Sequence, residues 1–217
     1  MEQKHTELVF IIDKSGSMGG LESDTLGGYN AMLHDQLEGE GECILTTLLF
    51  NHTHELIHDR QNIKTVKPLT LFDYQVGGST ALIDAIGWSI DKIMNVTKNT
   101  KAAFQSDNVV FVIITDGYEN SSSQYTSDDI KRRIEIQKKE FGWEFIFLGA
   151  NIDAVQTAKH YGIPANRAQN YNVDCEGIQL NYKAISHALK TVRSKQMIME
   201  DWNQVIQEDY TKRNAKR

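Results

Sequence analysis

The 217-residue sequence predicts an α/β protein built on buried parallel strands. Short runs rich in β-branched and aromatic residues alternate with stretches of helical spacing, which is the first sign. The second is that residues 8–12 and 109–114 are apolar throughout, as strands covered on both faces are, rather than alternating. Composition agrees: 40% hydrophobic, 24% charged and only 2 Pro describe an ordinary globular chain. A chain of this size buries roughly 70% of its unfolded surface, so it needs no disulfide or structural metal to fold.

The strands are expected at residues 7–12, 42–50, 55–60, 108–115, 144–149 and, weakly, 168–173. The all-apolar pair, 8–12 and 109–114, should lie side by side in the middle. Helices are expected to begin near Gly20, Thr80, Ser127, Asp153 and Glu176, running to about residues 37, 95, 141, 161 and 193. Ser127, followed by Asp128 and Asp129, reads as an N-cap with acid in the first turn, and Lys138 and Lys139 suit the last turn. Residues 1–194 form the body of one domain. Residues 195–217 add a terminal helix carrying Met197, Ile198, Trp202, Val205 and Ile206 at helical spacing, then a solvated basic tail, Lys212 to Arg217, with about six frayed residues. Trp88, Trp143 and Trp202 read as packing anchors.

A net charge of −6 argues against general affinity for nucleic acid or anionic membrane. The longest apolar run, residues 109–114, is far short of the roughly 18 that span a bilayer. Residues 1–7 lead into the first strand without a cationic start or small-residue cleavage site, so a cytoplasmic location is expected. Cys43 and Cys175 are too far apart in sequence for a metal-type pair and read as small buried filler.

The chemistry collects where strands end. After the first comes Asp13-Lys14-Ser15-Gly16-Ser17, one carboxylate and two hydroxyls in a five-residue turn. Alternate positions point the same way, so Asp13, Ser15 and Ser17 converge, Lys14 turns elsewhere and Gly16 permits the bend. Hard cations such as Mg²⁺, Mn²⁺ and Ca²⁺ take small oxygen ligands of this kind. A second loop, Gly77-Gly78-Ser79-Thr80-Ala81-Leu82, sets a hydroxyl at a helix start, where Ser79 or Thr80 taken alone is an N-cap. The third, Thr115-Asp116-Gly117, ends the other central strand; Asp116 alone is an ordinary turn residue. Ligands of open α/β sheets bind outside the carboxyl ends of the strands, and all three loops occupy such ends.

Together, Asp13-x-Ser15-x-Ser17, the Gly78-Ser79-Thr80-Ala81-Leu82 loop and Thr115-Asp116-Gly117 resemble the von Willebrand factor A (vWA) domain with its metal-ion-dependent adhesion site (MIDAS). The match runs over nearly the whole chain in motif order. The resemblance implies a doubly wound, Rossmann-like sheet of five parallel strands and one antiparallel edge strand, for which residues 55–60 are the candidate. It also implies a divalent cation held directly by Ser15, Ser17 and Thr80, with Asp13 and Asp116 acting mainly through water. With neutral hydroxyls on the ion, the cation stays electrophilic, and an Asp or Glu of a protein partner completes its shell. The function expected is therefore a cation-dependent, non-catalytic adaptor of the kind found in multiprotein assemblies.

Other readings are weaker. A Mg²⁺-dependent phosphohydrolase of the haloacid dehalogenase type needs a second Asp two positions after Asp13, where Ser15 stands. A nucleotide site lacks both the G-x-G-x-x-G spacing and an acid after Phe50-Asn51. A purely structural metal, with the partner docking elsewhere, would normally be caged by more carboxylates than hydroxyls. His52, His54 and His58 fall on one face of an extended segment, where zinc is conceivable but an exposed, soluble edge strand is the simpler reading. Tyr118 and Glu119 flank Asp116 and are candidates for shaping partner choice, whereas Asp84 and Asp153 read as helix-start or helix-surface residues.

Overall fold

The structure, a computed structural model, describes residues 4–215. Its strands are β1 (His5–Asp13), β2 (Glu42–Phe50), β3 (His54–Asn62), β4 (Asn108–Thr115), β5 (Glu144–Gly149) and β6 (Ala168–Asn170), in the order β3-β2-β1-β4-β5-β6. All neighbours are parallel except β2 and β3. The two all-apolar strands are central neighbours, with Ile11 beside Ile113 and Ile12 beside Ile114. Since β1 leads to β2 on one side and pairs with β4 on the other, the winding reverses there, and a crevice opens above their carboxyl ends.

The helices are α1 (Glu22–Leu37), α2 (Leu82–Asn99), α3 (Ser127–Phe141), α4 (Ala154–His160), α5 (Cys175–Lys195) and α6 (Gln204–Asn214). Strand alternation splits the core in two. Leu8, Phe10 and Ile12 pack with α1 and α5 through residues such as Tyr29, Ile185 and Leu189. Val9 and Ile11 pack with α2, α3 and α4 through Ile86, Ile134 and Ala158. Arg193 is buried at the end of α5, its guanidinium donating to the carbonyls of Gln36, Gly39, Glu40 and Gly41 and so tying the α1–β2 turn to α5. Such a cation satisfies carbonyls that a helix end would otherwise leave unpaired.

Several expectations need correction. The α3 cap is Thr126, which forms a capping box with Asp129, and not Ser127. β6 stops at Asn170, three residues early. A register shift in β3 between the pairs Thr47–His58 and Leu48–Leu56 inserts one extra residue, which reverses the alternation. His54 therefore packs on Trp88 of α2, while His58 lies buried on the opposite face, bonded to Thr47 Oγ1 at 3.0 Å. The three histidines do not share a face. Burial holds the His58 imidazole below its ordinary pKa.

Cys43 is buried, but Cys175 opens α5 as an exposed thiol rather than core filler. The terminal segment is not one helix. Gln196 closes α5 in the left-handed conformation, and α6 begins only at Gln204, leaving Ile198, Trp202 and Ile206 buried and Met197 and Val205 exposed. Nor is the basic end wholly solvated, because Arg213 bonds to both Asp174 and Asp209. Residues 216 and 217 of the expected tail lie outside the described residues. Trp143 and Trp202 are buried anchors, as expected, and Trp88 is half-buried. Among the described residues no helix is long and apolar enough to cross a membrane.

Candidate metal centre

Asp13 is the last residue of β1, fully buried. Its Oδ1 accepts the Ser15 amide at 2.7 Å, which turns the chain so that Ser15 and Ser17 face the same way, their hydroxyls 3.1 Å apart. Lys14 points elsewhere, as the alternation requires, reaching Glu55 of β3 at 2.6 Å. Ser17 donates to Asp116 Oδ1 at 2.5 Å, so a continuous line of oxygens runs from Asp13 through Ser15 and Ser17 to Asp116. Asp116 is buried just past the end of β4, and its second oxygen, Oδ2, has no hydrogen-bond partner among the described residues. Thr115, which sequence reasoning quoted without a role, closes the circuit by donating to Asp13 Oδ2 at 2.6 Å.

Thr80 reaches the same place from the other side of the crevice. It is not the α2 cap. Ala81 holds that position with no side-chain bond of its own, and the first amides of α2 are served from a distant loop, by Glu119 for Ile83 and by the Ser122 hydroxyl for Asp84. Relieved of capping, Thr80 Oγ1 makes no hydrogen bond among the described residues. Its backbone is fixed by Asn120, which accepts the Thr80 amide and donates its own amide to the Thr80 carbonyl. The bare face of Gly117 looks into the resulting basin: a Cβ there would lie 3.5 Å from Ser17 Oγ and 3.9 Å from Thr80 Oγ1. All five candidates are thus gathered around one spot, four through hydrogen bonds and Thr80 by position.

The loops are stitched by backbone. Gly16 donates to Gly78 O, Gly77 to Lys14 O, Lys14 to Phe50 O, and Ala81 to Asn51 O. Gly78 has φ 80°, and a side chain there would strike the His52 ring 2.2 Å away, so the loop demands glycine on two counts. Gly16 does not carry the left-handed bend; Gly20 does, at φ 89°. Beneath the site stand two buried phenols the sequence did not single out. Tyr74 donates to the Asp13 carbonyl and Tyr171 to the Thr115 carbonyl, which holds both strand ends in place.

Electrostatics mark the site as short of positive charge. Burial raises the Asp13 carboxyl above its ordinary value against the pull of its Ser15 and Thr115 bonds. Burial also raises Asp116, and the nearby Asp13 charge adds to the rise. Two carboxylates, one of them with an unpartnered oxygen, and three hydroxyls make a hard-oxygen donor set that fits Mg²⁺, Mn²⁺ or Ca²⁺. Among the described residues no group of three or more His, Cys, Asp or Glu side chains is placed to hold a metal ion, which removes the histidines as a zinc site.

The flanking residues divide. Glu119 is held by Ser121, Ser122 and Ile83 amides, so it organises the loop, and Tyr118 is 65% exposed beside it. Asp84 is buried, accepting three amides from residues 123–125, and Asp153 caps α4.

No protein-family model and no curated protein matches the sequence. Solved structures do. The pilus adhesin SpaC of Lactobacillus rhamnosus GG, in its open conformation, aligns with TM-score 0.64 at 9% identity, over 89% of this chain and 31% of that one. A von Willebrand factor type A structure from Catenulispora acidiphila aligns at 0.54 with 14% identity, over 86% and 42%. Proximal thread matrix protein 1 from the mussel byssus, with a zinc-occupied MIDAS motif, aligns at 0.56 with 11% identity, over 87% and 46%. The chain spans less than half the length of each. At these identities the likeness is one of fold, a vWA-like arrangement of sheet and helices.

Proposed function

We propose that this chain is a vWA domain with a MIDAS, an adaptor that holds a divalent cation on Asp13, Ser15, Ser17, Thr80 and Asp116 and uses it to grip an Asp or Glu of a protein partner. The observation carrying the reading is the unpartnered, buried Oδ2 of Asp116, set among hydroxyls that have little other work. A buried carboxylate oxygen without a partner is costly, and a cation is the simplest group that relieves it. Mg²⁺ is the favoured ion, because Mg²⁺ keeps few protein ligands and several waters. When bound, the ion supplies a Lewis-acidic point for an incoming carboxylate. The protein's own residues fix that point and exclude bulk water from beneath it.

The proposal includes no catalysis. Asp13 is poorly suited to be a nucleophile, since both its oxygens are engaged, by the Ser15 amide and the Thr115 hydroxyl. A cytoplasmic setting is part of the proposal, supported by the free, exposed thiol of Cys175. The test is calorimetric titration with Mg²⁺ and Mn²⁺ of the wild type and Asp13→Ala. Saturable binding by the wild type alone is expected, and equal heats from both proteins would refute the assignment.

A further inference from the structure

We propose that Glu55, near the start of the edge strand β3, is a positioning residue for the metal centre. It draws the Lys14 ammonium aside and cancels its charge, so that Asp13 and Asp116 keep their full pull on a cation. This deepens the metal reading and rests on it.

The sequence sets a cation between two candidate ligands. Lys14 stands between Asp13 and Ser15. Neighbouring Cα atoms are about 3.8 Å apart, so a fully stretched lysine still keeps its ammonium within roughly 10 Å of either neighbour's Cα. That is about one Debye length at 0.1 M salt. Water does little to weaken the charge there, because Lys14 is only 8% exposed. A buried ammonium beside a cation site opposes the ion and needs a partner of its own.

The fold provides that partner from 41 positions away. Ile12 lies beside Leu49, and Leu49 lies opposite Glu55, so Glu55 shares the sheet face of Ile12 and of Lys14 two residues on. Lys14 Nζ donates to Glu55 Oε2 at 2.6 Å, and among the described residues neither side chain has another ion pair. The pair is not what holds the loop. The Lys14 amide donates to the Phe50 carbonyl at 2.7 Å and the Lys14 carbonyl accepts the Gly77 amide at 2.9 Å, so the backbone is fixed without the side chain. What the pair sets is charge. Asp13 and Asp116 carry two negative charges, which Lys14 alone would halve and Glu55 restores.

β3 also supplies its own control. Asp59 pairs with Lys92 of α2 at 2.7 Å, and its carboxylate is as exposed as that of Glu55, 55% in each. It lies four residues farther along the strand from the metal loops, roughly 13 Å.

Calorimetric titration of the full chain with Mg²⁺ and Mn²⁺ at about 50 mM salt compares wild type, Glu55→Gln, Lys14→Met, the double variant and Asp59→Asn. The dissociation constant should rise about three- to tenfold in Glu55→Gln, fall by a similar factor in Lys14→Met, and return to within about twofold of wild type when both are combined. Asp59→Asn should change nothing. At about 0.5 M salt the single-variant changes should shrink, since screening acts on charge and not on packing. A purely structural contact predicts the opposite sign for Lys14→Met, which would then weaken binding as Glu55→Gln does. That result overturns the proposal, as does a loss in Asp59→Asn equal to that in Glu55→Gln. Melting in chelator separates folding from binding: Glu55→Gln strands the ammonium and should melt below wild type, with recovery in the double variant. Lys14→Met carries the sign test alone if Glu55→Gln does not fold. A wild type that binds neither ion overturns this proposal together with the metal reading, whereas wild-type binding with unchanged constants in both single variants overturns this one alone.

Discussion

Two pairs of acids sit at the same end of this sheet and are treated oppositely. Asp84 and Glu119 are saturated: Asp84 accepts three backbone amides, and Glu119 accepts three amides and the Ser122 hydroxyl. At the other pair burial holds both carboxyls above their ordinary pKa, and although Asp13 has both oxygens engaged, one oxygen of Asp116 is without a partner among the described residues. Saturation makes a carboxylate a structural clamp, while shortage leaves binding capacity for something not of this chain. The clamp also serves the site, because the loop that Asp84 and Glu119 hold supplies the caps of α2 and frees the Thr80 hydroxyl.

The largest expected effect comes from breaking the clamp. Asp84→Ala strands three amides, each worth about 1–3 kcal/mol when left without an acceptor, and should cost about 3–5 kcal/mol in urea unfolding. Removing the acid with the unpartnered oxygen should do the reverse. Asp116→Asn should leave the cation-free protein at least as stable as the wild type. Mg²⁺ at 100 times its dissociation constant should stabilise only the wild type, by about 2.7 kcal/mol, or roughly 5–11 °C in a melt.

The third prediction concerns pH. Because both carboxyls are raised in the folded state above 3.8, the fold binds protons there more tightly than the unfolded chain does. Their contribution to cation-free stability is therefore greatest below that value and is lost as pH rises through the raised values. Protons and cation compete for the same oxygens, so the Mg²⁺-induced rise in melting temperature should be full at pH 7 and shrink on acidification. A gain that stays flat across pH would count against the two acids as the site. The smallest effect is expected at Thr80. Thr80→Ala should change stability by less than about 1 kcal/mol, since its hydroxyl holds nothing in the fold, yet weaken Mg²⁺ binding about tenfold in calorimetry, with Thr80→Ser restoring it.

How far such things can be read in advance depends on whether the signal is local. β2, β4 and β5 begin and end where the residue pattern places them, because long runs of Val, Ile, Leu and Phe bounded by polar residues leave little choice. Asp13, Ser15 and Ser17 were legible for a similar reason, since their convergence follows from alternation within five residues. The supports were not. Tyr74 and Tyr171 look like any other aromatic residues, and only the paths of residues 66–81 and 168–173 bring them beneath two strand ends. Asn51 and Asn120, each just past a strand or in a turn, gave a faint signal as loop-forming residues, but their partners lie 26 and 40 positions away.

The histidines make the same point in the other direction. Counting by twos puts His54 and His58 on one side, and a single inserted residue, fixed by pairing with β2, sends them to opposite faces. By itself the sequence determined the layered α/β arrangement, the two central strands and the convergence of Asp13, Ser15 and Ser17, because periodicity and short-range geometry are properties of neighbours in the chain; Thr80 and Asp116 were added to that set only by the resemblance of the three motifs to the vWA site. Tertiary structure decided which hydroxyls and carboxylates are already occupied, because hydrogen-bond satisfaction depends on groups far apart in sequence. Asp84 and Asp116 are both acids near a turn, and only the folded chain shows that the first accepts three backbone amides while one oxygen of the second has no partner among the described residues.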